Sequence, residues 1–129
     1  MINVLIVDDN DFMRKMMGSF LEMEKDIKIC GEADSIEAAL GILDNLSPDI
    51  ALVDISLNSD EGGIDLIKNI RAKGKQFPIL TISLHENELY AKRISQAGGQ
   101  GYIMKQEAAD CIIDAVRQVA RGETYFQWK

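Results

Sequence analysis

Ile50-Ala51-Leu52-Val53-Asp54 is the stretch on which the fold turns: four apolar residues in a row, closed by a single acid. A run this short and unbroken, without the alternation of a half-solvated strand, predicts a strand covered on both faces, as in a parallel sheet. Working outward, the same form recurs. Ile2-Asn3-Val4-Leu5-Ile6-Val7 runs into Asp8-Asp9, Pro78-Ile79-Leu80-Thr81-Ile82 into Ser83, and Tyr102-Ile103-Met104 into Lys105; Ile27-Lys28-Ile29-Cys30 is a further short run.

Segments of helical period separate these runs. Phe12, Met13, Met16, Met17, Phe20, Leu21 and Met23 recur at helical spacing behind a cap at Asn10 or Asp11, and are read as a packed core face. A second helix starts at Ser35 and stops before Ser47-Pro48, a third runs from about Ile64 to Lys73, and a fourth from about Glu86 to Ala97, closed by Gly98-Gly99. The last runs from about Glu107 to Arg121. Five strands alternating with five helices predict a doubly wound α/β fold, a (βα)5 flavodoxin-like arrangement with a five-stranded parallel sheet in the order 2-1-3-4-5.

The bulk numbers narrow the function. At 129 residues the chain fits one domain, and its 47% hydrophobic and 27% charged residues are ordinary for a soluble protein. No apolar run is long enough to span a bilayer, and the N-terminus lacks the basic start of a signal peptide, so the chain reads as cytoplasmic with no membrane partner. A net charge of −7 argues against direct nucleic-acid binding by this chain. Cys30 and Cys111 lie far apart among apolar residues and read as reduced core residues.

Ligands of open parallel sheets bind beyond the carboxyl ends of the strands. There this sequence places Asp8 and Asp9, Asp54, Ser83 and Lys105. Carboxylates a few Å apart repel each other by roughly 1 to 4 kcal/mol per pair at effective dielectrics of 80 to 20, so they call for protonation or a cation. Oxygen ligands of this kind suit Mg²⁺, which binds through one or two carboxylates plus phosphate oxygens. An Asp carboxylate is a competent nucleophile toward a phosphoryl group, whose oxygens Lys105 and Ser83 suit.

With these residues in place, the chain resembles response-regulator receiver domains of two-component signalling from Val4 to about Glu123. The resemblance rests on Asp8-Asp9, on Asp54 within Asp49-Ile50-Ala51-Leu52-Val53-Asp54-Ile55, on Ser83, and on Lys105 after Gly101-Tyr102-Ile103-Met104. The segments Ala97–Lys105 and Val119–Phe126 look most like receivers of the NarL/FixJ type. The resemblance implies that Asp54 is the phosphoacceptor for a sensor histidine kinase, with Mg²⁺ (or Mn²⁺) held by Asp9, Asp54 and the backbone carbonyl of Ser56, and by Asp8 through water. It implies that Lys105 and Ser83 contact the phosphoryl group, and that Ser83 and Tyr102 form a switch pair whose ring turns inward to remodel an output face. It further implies a receiver over residues 1–123, with 124–129 a C-terminal tail or the start of a linker to a helix-turn-helix DNA-binding domain outside this chain. Transcription regulation and a homodimer formed on phosphorylation are the corresponding expectations.

The chain departs from the family pattern at several positions. The loop Ile55–Gly63 lacks the usual proline after Leu57 and is one residue longer than common. Leu84 stands where a small residue is usual and is expected to narrow access to Asp54. Gln106 replaces a proline that often follows a cis bond, which predicts a trans peptide. His85 lies where side chains vary and modulate acyl-phosphate hydrolysis, or is simply an exposed helix-start residue.

Three other readings fit these residues less well. A haloacid-dehalogenase-type phosphatase needs a second acid where Ser56 stands. A flavin-binding domain needs a phosphate loop where Asp8-Asp9-Asn10-Asp11 would repel phosphate. A phosphorylation-independent interaction module does not need the complete acid set.

Overall fold

The computed structural model describes residues 1–84 and 88–126. In chain order the elements are β1 (Ile2–Val7), α1 (Asp11–Glu22), β2 (Ile27–Ala33), α2 (Ile36–Leu43), β3 (Ile50–Asp54) and α3 (Gly62–Ala72). Then follow β4 (Ile79–Ser83), α4 (Glu88–Ala97), β5 (Gly101–Met104), a 3-10 turn (Lys105–Glu107), α5 (Ala108–Ala120) and β6 (Tyr125–Phe126). All paired strands are parallel, in the order β2-β1-β3-β4-β5-β6. His85, the predicted helix start at Glu86, and residues 127–129 of the predicted tail lie outside the described residues.

β3 and β4 are buried along their whole lengths, as an unbroken apolar run requires when helices cover both faces. One core layer packs Val4, Ile6, Leu52, Leu80, Ile82 and Ile103 with α1 and α5; the other packs Leu5, Val7, Val53, Ile79 and Tyr102 with α2, α3 and α4. The cap residues match their chemistry: the Asn10 side chain accepts from the Met13 N–H and the Ser35 hydroxyl from the Ala38 N–H. Gly98, at φ 110°, closes α4 with a conformation that costs glycine little.

Two expectations need correction. The sheet has six strands, not five: Tyr125 N–H donates to the Gln100 carbonyl, and Tyr125 and Phe126 pair with Gly101 and Tyr102. This short strand covers the edge of β5, placing Tyr125 against one core layer and Phe126 against the other, a device that closes an otherwise open edge. The apolar residues of α1 are not one packed face either. Met17 and Leu21 are buried, but Phe12 and Met23 are 73% and 74% exposed and Met16 is exposed too, because the helix touches the sheet along only one narrow stripe. The cysteines are free, with Cys111 buried and Cys30 half-buried. No cis peptide occurs among the described residues, which agrees with the trans bond predicted around Gln106.

Candidate functional site

Register gathers the site. Val7 pairs with Val53, Asp54 with Ile82, and Ser83 with Met104, so Asp8, Asp54, Ser83 and Lys105 come level at one end of the sheet. Asp8, Asp54 and Ser83 are buried there, while Asp9 is exposed. One carboxylate oxygen from each of Asp8, Asp9 and Asp54 lies within 4.8 Å of the others.

Lys105 is the cation facing this cluster. Its Nζ is 3.4 Å from Asp54 Oδ2 and 3.8 Å from Asp8 Oδ2, and its side chain is largely buried. Three carboxylates against one ammonium leave two negative charges if all are ionised. Among the described residues no second cation forms a salt bridge with these acids. Burial pushes the Asp8 carboxyl up to about 6, an effect the neighbouring charges of Asp54 and Asp9 reinforce and the Asn10 N–H and Lys105 oppose. Asp8 Oδ1 accepts the Asn10 N–H, whereas Asp8 Oδ2 is buried and accepts no hydrogen bond among the described residues. A buried, underused carboxylate oxygen beside two other acids is the donor set that a hard divalent cation fits.

The loop after Asp54 is built by close approach. The Ser56 N–H and hydroxyl both donate to Asp54 Oδ1, fixing that carboxylate from its own loop. A Cβ at Gly62 would fall 1.6 Å from the Leu57 carbonyl oxygen, and one at Gly63 would fall 2.4 Å from the Asp54 carbonyl oxygen, so the helix start presses directly on the site's backbone. Glu61, just before α3, forms a two-pronged ion pair with Arg93 of α4, tying this loop to the neighbouring helix. Arg14 of α1 supports the other side, donating from Nη1 to the Asp8 carbonyl and pairing with Asp11 and Glu32.

The structure brings Asp8, Asp9, Asp54 and Lys105 together, with Ser56 bonded to Asp54 and Ser83 level with them at the end of β4. Two details add to the reading. The Tyr102 ring lies inside the second core layer at 1% exposure, in the same layer as Ile94 of α4. Leu84, expected to narrow access to Asp54, is 59% exposed just past the end of β4. Asn58 and Arg14 escaped the sequence reading: the missing proline flagged the loop, but no pattern marked Asn58 itself, and Arg14 looks like any basic residue of an exposed helix.

A parallel sheet whose carboxyl edge presents acids, a hydroxyl and a lysine belongs to the open α/β class whose ligands bind beyond the carboxyl ends of the strands. The family described as the response regulator receiver domain matches residues 4–117, and the chain belongs to it. It is 34% identical over 128 residues to the response regulator protein VraR of Staphylococcus aureus, covering 98% of this chain and 60% of that protein. It is 27% identical to the transcriptional regulatory protein DegU of Brevibacillus brevis, covering 99% of this chain and 54% of the relative. The chain thus spans little more than half the length of these relatives. In three dimensions it is similar to the receiver domain of a putative response regulator NarL from Mycobacterium tuberculosis, with a TM-score of 0.87, 26% identity, and 95% of this chain and 98% of that one covered. No helix among the described residues is long and apolar enough to cross a membrane.

Proposed function

We propose that the chain is a phosphoacceptor switch in which Asp54 takes a phosphoryl group from the phosphohistidine of a sensor kinase. The observation that carries this reading is the buried Asp54 carboxylate with Lys105 Nζ at 3.4 Å and two further acids in reach. Asp9, Asp54 and the Ser56 carbonyl are the groups to hold Mg²⁺ or Mn²⁺, with Asp8 acting through water. A bound divalent cation supplies charge neutralisation between an anionic nucleophile and an anionic donor.

The remaining work falls to the chain's own side chains. An Asp54 oxygen attacks phosphorus as the P–N bond of the donor breaks, and the Ser56 donors hold the other Asp54 oxygen in place. Lys105 balances the added charge and the Ser83 hydroxyl hydrogen-bonds the phosphoryl oxygens. The new group adds roughly −1.5 to −2 charge at the sheet edge, and Ser83 and Tyr102 pass the change to the face formed by α4, β5 and α5. By analogy with the transcriptional regulatory protein DegU, that face serves transcription regulation; a linked helix-turn-helix domain and a homodimer formed on phosphorylation, both in the cytoplasm, complete the reading.

Incubation with Mg²⁺ and acetyl phosphate, followed by intact-mass spectrometry, tests the assignment. A single phosphoryl adduct is expected on the wild type and none on Asp54→Asn. Equal labelling of both proteins would overturn it.

A further inference from the structure

Asn58 joins three parts of the chain that meet at the acidic cluster. Its backbone N–H donates to Asp9 Oδ2 at 3.0 Å. Its side-chain oxygen accepts from the Ile36 N–H at the start of α2, 3.3 Å away, and its side-chain nitrogen donates to the Asp34 carbonyl at 3.4 Å. It is the one non-glycine residue described with a positive φ, 61°, a conformation that asparagine tolerates better than most side chains. Asp9 is the exposed member of the cluster, so nothing about burial fixes its carboxylate. We infer that Asn58 is a positioning residue for the divalent cation: its side chain clamps the loop to the β2–α2 junction so that its N–H holds one oxygen of Asp9 and leaves the other for the ion.

The arrangement is specific to this loop. Proline, usual at this point in the family, has no N–H to give and cannot adopt φ 61°. The left-handed conformation goes with an Asn58 amide that meets Asp9 just past the end of β1, and the two side-chain bonds tie the loop to the β2–α2 junction. A partner that orients a ligating carboxylate commonly contributes about ten- to a hundredfold in metal affinity.

This inference rests on the cation-binding reading above, and calorimetry with Mg²⁺ together with the electron paramagnetic resonance signal of bound Mn²⁺ separates the two. Wild type is expected to bind both ions. Asn58→Ala and Asn58→Gly should each bind about tenfold more weakly; glycine keeps the left-handed backbone accessible, so its loss of affinity isolates the side-chain clamp. Wild-type affinity in Asn58→Gly would overturn the inference while leaving the cation site standing, whereas a wild type that binds neither ion would overturn both. Should a variant fail to fold, the wild-type spectrum decides: the Asn58 amide proton should shift on saturation with Mg²⁺, and an unmoved resonance counts against the role.

Discussion

Lys105 and Asp54 face each other from strands that are not neighbours: Nζ of the lysine, just past the end of β5, reaches within 3.4 Å of the carboxylate at the end of β3, passing the end of β4. The same nitrogen is 3.8 Å from Asp8, so one ammonium answers two buried acids.

Removing that ammonium leaves both carboxylates without their cation. In Lys105→Ala the Asp8 carboxyl should titrate above its wild-type position near 6, which carbon-detected NMR of the side-chain carboxyl reads directly. Phosphorylation of Asp54 should persist, while the shift of the Tyr102 resonances on adding beryllofluoride disappears. A variant that keeps the full Tyr102 response would remove Lys105 from the switch.

Asp8 also sets a pH dependence with a definite sign. Its folded value of about 6 exceeds the ordinary 3.8, so between those values the folded state holds a proton that the unfolded chain has released. Stability from this group is therefore present at pH 4, falls as pH rises through that window, and is flat above it, by about 3 kcal/mol in all. Asp8→Asn removes the effect. Without divalent cation the variant should match wild type near pH 4 and exceed it by up to about 3 kcal/mol at pH 7, measured by urea denaturation. Parallel stability curves for the two proteins would contradict the assignment.

Gly63 predicts a cost paid at the site itself. A Cβ there would lie 2.4 Å from the Asp54 carbonyl oxygen and 2.6 Å from the Ile55 Cα, both backbone atoms that cannot rotate away. Gly63→Ala should cost roughly 2 to 4 kcal/mol and weaken Mg²⁺ binding together with stability. A thermally stable variant with unchanged cation affinity would show that the loop yields more easily than its packing implies.

These sites were legible to different degrees. Unbroken apolar runs marked the strands because burial on both faces leaves no room for polar alternation, and the residue ending each run marked the site because register then aligns the ends. β6 was not legible, since Tyr125-Phe126 is too short to carry a period and earns its place only by pairing with β5. The α1 methionines misled for the converse reason: helical spacing records which residues share a face and not whether anything covers it, and Phe12 and Met16 face solvent. Asn58 and Gly62 act through backbone distances of a few Å, which no spacing in the sequence encodes.

Arg71 offers a way to separate the fold from the site. Its guanidinium donates twice to the Gly98 carbonyl, once to the Lys75 carbonyl and once to the Gln100 side chain, at 2.8 to 3.1 Å, and lies over the Phe77 ring. Gln100 in turn accepts the Ile79 N–H at the start of β4. Every one of these partners sits at the amino-terminal edge of the sheet, away from the acids at the carboxyl edge. Arg71→Ala should therefore lower stability by roughly 2 to 4 kcal/mol, and Arg71→Lys should recover little, because an ammonium cannot span three acceptors held in a planar fork. At a temperature where both variants remain folded, Mg²⁺ affinity and acetyl-phosphate labelling of Asp54 should equal the wild type. A loss of labelling in folded Arg71→Ala would mean that strain at the amino-terminal edge travels along β4 to Ser83, and that the two ends of the sheet are coupled.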